Sequence, residues 1–383
     1  MKRFILVILL SFMFITNINA EEVKLAEGAK SSILIEASTG EIIYESKKDE
    51  KFAPASMTKI MSLIIIMDEI EKGNIKWDEE ITVSKNASSM GGSQIYLEEG
   101  EKMTIKDLVK GICMASANDA VVALAERISG TEEAFVFKMN ENVKKLELKN
   151  TNFKNSTGLD VANHYSSAYD MAMMARELVK HKKILEFSGI YEDYLRQNTD
   201  KKFWLVNTNK LIKTYDGMDG LKTGYTKEAG YCLTATAKKD NMRLIGVVMG
   251  EETSSKRNEE MTKMLDYGFN IYKVNELVNN KTSLGKYENS KMKLSNVNIV
   301  PSETINVLNK KGDSKRKVTY KVEITREKLP IKKGDKVGKM SIYENGKKLY
   351  DVDVTIDKDV RKANILDLYI RNIGDLITGK YIL

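Results

Sequence analysis

The stretch Phe52-Ala53-Pro54-Ala55-Ser56-Met57-Thr58-Lys59 decides how this chain is read, because an apolar run follows it directly through Met61, Leu63, Ile64, Ile65, Ile66 and Met67 to Ile70. A proline just ahead of a serine, then a long apolar segment, predicts a helix N-terminus aimed into a core. On a helix, residues three apart stand one above the other, which puts Ser56 and Lys59 on one face with Cβ atoms roughly 5–6 Å apart. A hydroxyl beside an amine can act as nucleophile and base, provided the amine is neutral. The spacing alone is weak evidence. Ser-x-x-Lys starts four times in this lysine-rich chain, at Ser56, Ser283, Ser290 and Ser314. The last three sit in polar, basic stretches with no apolar helix behind them, where a solvated surface is the natural reading.

Two further motifs supply what a serine–lysine pair lacks. From Thr104 to Ile128 the apolar positions recur at helical spacing, and Ser116-Ala117-Asn118 interrupts them as a polar corner between two helices. Lys222-Thr223-Gly224 occurs once and fits an edge strand against which an extended peptide can lie, its glycine allowing a ligand backbone to approach. Burial of Lys59 beside Lys222 favours the neutral amine through desolvation and like-charge repulsion. The expected roles follow from these groups. Lys59 takes the Ser56 proton, Ser116 relays a proton to a leaving amine, and Asn118 holds a substrate amide and orients Lys59. The backbone N–H groups of Ser56 and Tyr225 bind the developing oxyanion. A terminal carboxylate meets Lys222, Thr223 and Arg257, whose guanidinium suits bidentate binding, although a solvated Arg257 is nearly as good a reading.

Composition narrows the setting. Residues 1–20 carry Lys2 and Arg3, the apolar stretch Phe4 to Ile15 and a small residue, Ala20, before Glu21-Glu22, the plan of a secretory leader. Without the leader, 59 Lys and Arg stand against 54 Asp and Glu. That mild positive excess suits an anionic wall or membrane surface and is too diffuse for nucleic acid. Cys113 and Cys232, 119 positions apart in apolar stretches, read as buried thiols, with a disulfide left open. His164 and His181 are the two histidines, and neither His-Glu-x-x-His nor Gly-x-Ser-x-Gly is present, so the chemistry calls for no metal or cofactor.

The order of elements predicts an α+β fold. A hairpin spans Ser31 to Glu45, helices run through the motif region and over Ser167 to His181, and strands Cys232–Ala237 and Leu244–Met249 precede a closing helix over Glu259 to Val274. Strands at both ends of a helical middle make an antiparallel sheet flanked by helices. Beyond about residue 280 short strands take over, at Val297–Val300, Lys317–Ile324, Lys336–Tyr343 and Tyr350–Ile356. The expected domains are therefore a leader over 1–20, a catalytic domain over 21–278, a small β-sandwich-like domain over 279–358 and an amphipathic helix over 359–383. In that tail Leu366, Ile370, Ile373 and Ile377 form an apolar stripe, widened by Tyr369 and Leu376, with Arg361, Lys362, Arg371 and Lys380 around it. The pattern reads as a membrane-surface anchor, the alternative being a helix packed on the β domain.

At this point the chain resembles a known family, the low-molecular-mass penicillin-binding proteins that are serine-type D-alanyl-D-alanine carboxypeptidases. The resemblance rests on Pro54-Ala55-Ser56-Met57-Thr58-Lys59, Ser116-Ala117-Asn118-Asp119-Ala120, Asn155-Ser156-Thr157-Gly158-Leu159, Asp219 to Thr226 and Ala229-Gly230-Tyr231-Cys232, and it covers nearly the whole chain after the leader. It implies a β-lactamase/transpeptidase-like fold and removal of the terminal D-alanine from peptidoglycan stem peptides through a Ser56 acyl-enzyme that penicillins also form. It implies export to the outer face of the cytoplasmic membrane. Some relatives carry His where this chain has Tyr225; a backbone role survives that change and a side-chain role does not. Three alternatives share the motifs: a D,D-endopeptidase, a β-lactamase and a non-catalytic wall-binding scaffold. For a class A β-lactamase the nearest approach to the required acidic loop is Glu192-Asp193-Tyr194-Leu195, which is followed by Arg196 rather than asparagine.

Overall fold

A computed structural model of the chain describes residues 23–377 apart from 290, 294–296, 315 and 327. The expected leader, and Lys380 of the tail, lie outside the described residues. Strands β1 (Ser31–Glu36), β2 (Ile42–Ser46), β3 (Met218–Thr226), β4 (Gly230–Lys239) and β5 (Met242–Glu251) form one antiparallel sheet in the order β2-β1-β5-β4-β3. The N-terminal hairpin thus pairs with residues some 210 positions later, Ile33 opposite Val247. Side chains alternate across the sheet, as the two-residue period of a strand requires. Ile33, Ile35, Ile245, Val247 and Met249 face the helical layer, while Leu34, Leu233, Leu244 and Val248 face a single helix, α5 (Ser254–Ile271).

At the centre of the helical layer lies α1 (Lys59–Glu71), buried from Lys59 through Met67. Its apolar character on every side matches that position. Within the helical layer, α2 (Ile105–Ala115) packs on α3 (Asn118–Ser129), and α3 and α4 (Ala168–Leu178) pack against α1. The corner between α2 and α3 is Ser116, whose backbone lies in the left-handed region with φ 64°.

The expected helix over Glu259–Val274 starts earlier and stops earlier. Thr253 caps its N-terminus by accepting from the Lys256 N–H, and at Tyr272 the chain turns extended. Strand Tyr272–Val278 then pairs with Ile305–Lys310, so the last residues expected in the catalytic domain are hydrogen-bonded to the β domain. That domain also holds a five-stranded antiparallel sheet with its own core of Val297, Ile299, Met340, Ile342, Val354 and Ile356. Leu308 joins the catalytic domain's Leu34, Leu244 and Phe269 in one cluster, and Arg316 bridges Glu41 at 2.6 Å and Glu344 at 2.8 Å. A final helix, Ile365–Ile377, leaves Leu366, Tyr369, Ile370 and Ile377 more than half exposed, so the β domain does not cover its apolar face. Among the described residues no helix is long and apolar enough to cross a membrane.

Candidate active site

Ser56 lies in a single 3₁₀ turn, Ala55–Thr58, that leads directly into α1 at Lys59. Ala55 enters this turn with φ 46°, a conformation that costs a non-glycine residue free energy and is found where function requires it. The turn places Lys59 Nζ 2.9 Å from Ser56 Oγ. Lys59 also donates to the Thr157 carbonyl at 2.6 Å, and no carboxylate lies within ion-pair distance of it among the described residues. Complete burial, and then the charge of Lys222, hold its amine well below the usual lysine range. A buried amine without a counter-ion is a base at neutral pH.

Strand β3 brings the third motif alongside. It is an edge of the main sheet, as the sequence predicts, with Gly224 opposite Cys232 and Lys222 opposite Thr234. The purpose of Gly224 differs from the expectation. A Cβ there would meet the Pro54 carbonyl at 2.9 Å, the Ala55 Cβ at 3.2 Å and the Ser56 nitrogen at 3.3 Å. The glycine therefore lets the protein's own serine turn dock on the strand, which sets the backbone after Gly224 beside the backbone of Ser56. The N–H groups of a first helical turn have no intrahelical acceptor, so the Ser56 N–H is suited to an oxyanion. The Tyr225 ring points outward, 57% exposed, and stacks on Tyr231 at 4.4 Å, which leaves its backbone as the part facing the turn.

Lys222 is buried and donates to the Thr223 carbonyl at 2.9 Å. Desolvation, with a smaller push from Arg257, brings its ammonium down to about 7. Thr223 donates to Thr208 Oγ1 at 2.7 Å, and the Thr208 N–H bonds the Met114 carbonyl at the end of α2. Thr208, which belongs to no motif and is missed by sequence reasoning, thereby ties the strand to the corner that carries Ser116. Arg257, in the first turn of α5, is 4% exposed, so the solvated reading is set aside. Its guanidinium donates to the neighbouring Asn258 Oδ1 at 2.8 and 3.1 Å and has no carboxylate partner among the described residues.

The second motif forms the corner between α2 and α3. Ser116 Oγ and Asn118 Oδ1 are buried and have no hydrogen-bond partner among the described residues. A buried polar atom without a partner calls for an explanation, and beside a reactive serine a ligand supplies one. Asn118 does not bond Lys59. Its Nδ2 donates to the Gly91 carbonyl at 2.7 Å and its N–H to the Ser93 carbonyl at 2.7 Å, while Asp119 accepts from the N–H groups of Ile95 and Leu97. The orientation of Lys59 falls instead to Thr157, a backbone acceptor within Asn155–Leu159. Both cysteines are buried free thiols, and the charge of Lys222 is felt at Cys113, whose thiol burial pushes up to about 12.

Comparison with known proteins agrees with this geometry. Residues 17–253 match the family model described as D-alanyl-D-alanine carboxypeptidase, and residues 271–362 match that of the penicillin-binding protein 5 C-terminal domain. The D-alanyl-D-alanine carboxypeptidase DacF of Bacillus subtilis is 48% identical over 98% of this chain and 99% of its own length. Penicillin binding protein 5 from Haemophilus influenzae superposes with a TM-score of 0.69 at 29% identity, covering 88% of this chain and 98% of that one. Penicillin-Binding Protein D2 from Listeria monocytogenes, solved in an ampicillin-bound form, superposes with a TM-score of 0.58 at 29% identity over 64% of this chain and all of that one. A serine–lysine pair under an edge strand, in a fold shared over almost its whole length with such proteins, identifies this chain as a member of the D-alanyl-D-alanine carboxypeptidase family of serine hydrolases.

Proposed function

We propose that the carboxypeptidase acts outside the cytoplasmic membrane on peptidoglycan stem peptides, with Ser56 as nucleophile and Lys59 as base. Ser56 Oγ attacks the carbonyl carbon of the penultimate D-alanine while Lys59 takes the hydroxyl proton. The oxyanion rests on the N–H groups of Ser56 and Tyr225. The C–N bond then breaks, Ser116 passes a proton to the departing amine, and D-alanine leaves. Water attacks the Ser56 ester, restoring the hydroxyl and releasing the shortened peptide. Penicillins, whose ring amide occupies the same place, acylate Ser56.

One observation carries this reading: Lys222 and Arg257, the two groups left to carry charge beside a neutral Lys59, are buried without a carboxylate partner among the described residues. Buried cations need an anion, and a substrate's terminal carboxylate supplies it. The β-lactamase reading loses its acidic loop, because Glu192, the acid of that segment, is exposed and paired with Val206 in a short hairpin. The exposed apolar face of the final helix, with Arg361 and Lys362 at its start, supports a seat on an anionic membrane surface. The deciding experiment incubates the protein with a D-Ala-D-Ala-terminated stem analogue. D-alanine release should fall by at least about 10³-fold in Ser56→Ala and in Lys59→Ala, and penicillin should leave its mass on the Ser56 peptide. Unchanged release in either variant, or a label elsewhere, rules the assignment out.

A further inference from the structure

Behind the serine turn lies a buried histidine that the reaction does not touch. His164 is 7% exposed and sits with Nε2 2.8 Å from Thr58 Oγ1. Its Nδ1 is 3.1 Å from the Lys154 backbone nitrogen. A backbone N–H can only donate, so Nδ1 is the bare nitrogen and the ring proton is on Nε2, which donates to Thr58. The neutral ring is its resting form, since burial draws its pKa down to about 4.

The two partners of this ring belong to the two sides of the lysine's environment. Thr58 stands between Ser56 and Lys59 in the catalytic turn. Lys154 opens the segment that carries the Thr157 carbonyl. Within that segment Asn155 Oδ1 accepts from the Thr157 and Gly158 N–H groups at 3.2 and 2.6 Å, turning the Thr157 carbonyl toward Lys59. Gly158, at φ +88°, lies so close to the turn that a Cβ would fall 1.9 Å from the Ala55 carbonyl. The segment is held from the far side as well, where Ser62 Oγ donates to the Ser156 carbonyl at 2.8 Å.

We propose that His164 is a positioning residue for the carboxypeptidase reaction. By pinning the Lys154–Gly158 segment to Thr58, it sets the Thr157 carbonyl against Lys59 and so aims the amine's lone pair at Ser56. A neutral amine has two N–H bonds and one lone pair, and rotation about Cε–Nζ carries the lone pair through three staggered positions. Committing one N–H to the Thr157 carbonyl excludes the position in which the lone pair points there, and Ser56 Oγ, 2.9 Å from Nζ, is the partner left for it. Released from Thr58, the carbonyl drifts and the amine turns freely. The Ser56 geometry survives while the base loses its aim.

This inference rests on Ser56 and Lys59 acting as nucleophile and base, so the test includes Lys59→Ala. Stopped-flow acylation by a fluorescent penicillin, followed over a range of concentrations, separates non-covalent binding from the acylation step. In His164→Ala the acylation rate constant should fall about 10- to 100-fold, with binding changed by less than about threefold, the size of effect expected when a reacting group loses its orientation. His164→Gln can donate to Thr58 and accept from Lys154, and it should recover acylation to within about threefold of native. Acylation of His164→Ala at near the native rate overturns the proposal. Equal losses in the Ala and Gln variants also overturn it, because they assign the effect to ring bulk. If His164→Ala does not fold, Thr58→Val removes the acceptor while keeping its shape. It must show the same loss in acylation, and a native rate in that variant refutes the idea. Native acylation in Lys59→Ala would instead remove the base assignment itself, a result distinct from failure of the His164 variants alone.

Discussion

Lysine is a base only when it has lost a proton and a carboxylate clamp only while it keeps one, and this site needs one lysine in each state. Burial depresses both Lys59 and Lys222, and the charge of Lys222 lowers Lys59 further, which favours the neutral amine at Lys59. Lys222 in the free enzyme titrates at about 7, cationic below and neutral above. For a substrate ending in a free carboxylate, kcat/KM should therefore fall as pH rises through about 7. The matching peptide with a C-terminal amide should lack that alkaline limb. A bound carboxylate favours the ammonium form, so the limb in kcat for the acid substrate should lie at higher pH than the limb in kcat/KM. Initial-rate profiles for the two peptides decide the matter. An identical alkaline limb in both would separate Lys222 from carboxylate recognition.

At the scale of elements, the junction of β5 with α5 contains a pair of carboxyl groups that no basic side chain satisfies. Glu251, at the end of β5, is 1% exposed, and both its oxygens lack a donor among the described residues, as does Glu260 Oε2. Glu260 Oε1 accepts from the Gly28 N–H at 2.8 Å. Desolvation, then Glu260, raises Glu251 to about 7, while the charge of Lys256 pulls the other way. A carboxyl raised in the folded state contributes stability that is complete below the ordinary glutamate value near 4.5 and is lost as pH rises through about 7. Glu251→Gln keeps a donor toward Glu260 at every pH. Its melting temperature should match the native protein at pH 5 and exceed it by about 2–5 °C at pH 9. Parallel melting curves at the two pH values would show that the pair shares no proton.

The same junction shows what sequence can and cannot display. Serine, lysine and asparagine side chains announce themselves by type and spacing, and the apolar run after Ser56 gives their helix away. The main sheet was legible too, because its strands alternate and its turns are polar. The first turn of α5, Ser254 to Asn258, contains no apolar residue, so periodicity located that helix five residues late. Its end at Ile271 is set by pairing of Tyr272 with Lys310, a contact between distant residues that no local window contains. The lysine's second partner is a carbonyl, and every residue has one. What places it is the turn of Asn155 and the missing Cβ of Gly158, which are visible only once the serine turn is seen pressed against them.

On the scale of the whole molecule, the β domain is fastened to the catalytic domain rather than tethered to it. Leu308 enters the catalytic domain's second core, Lys311 donates to the Phe269 carbonyl at 2.7 Å, and Arg316 joins Glu41 to Glu344. The final helix leaves from the β domain, where the Ala363 N–H bonds the Lys291 carbonyl at 2.8 Å and Lys293 approaches Asp367 at 3.6 Å. Exposed Lys291, Lys293, Arg361 and Lys362 thus gather at the base of an exposed apolar helix. A basic residue close to an anionic bilayer contributes about 1 kcal/mol, and the apolar stripe adds its own burial. With the tail seated on a membrane, the fastened β domain would act as a spacer, and chemistry on soluble peptides would not depend on the tail. Truncation after Ala363 should therefore leave kcat/KM for a soluble D-Ala-D-Ala peptide within about twofold of native and lower binding to vesicles containing anionic lipid by at least about tenfold. Vesicle binding of the native protein should weaken with salt without vanishing, because the apolar contribution is not screened. Flotation of native and truncated protein with these vesicles gives the answer, and equal recovery of the two in the lipid fraction would remove the tail from any membrane role.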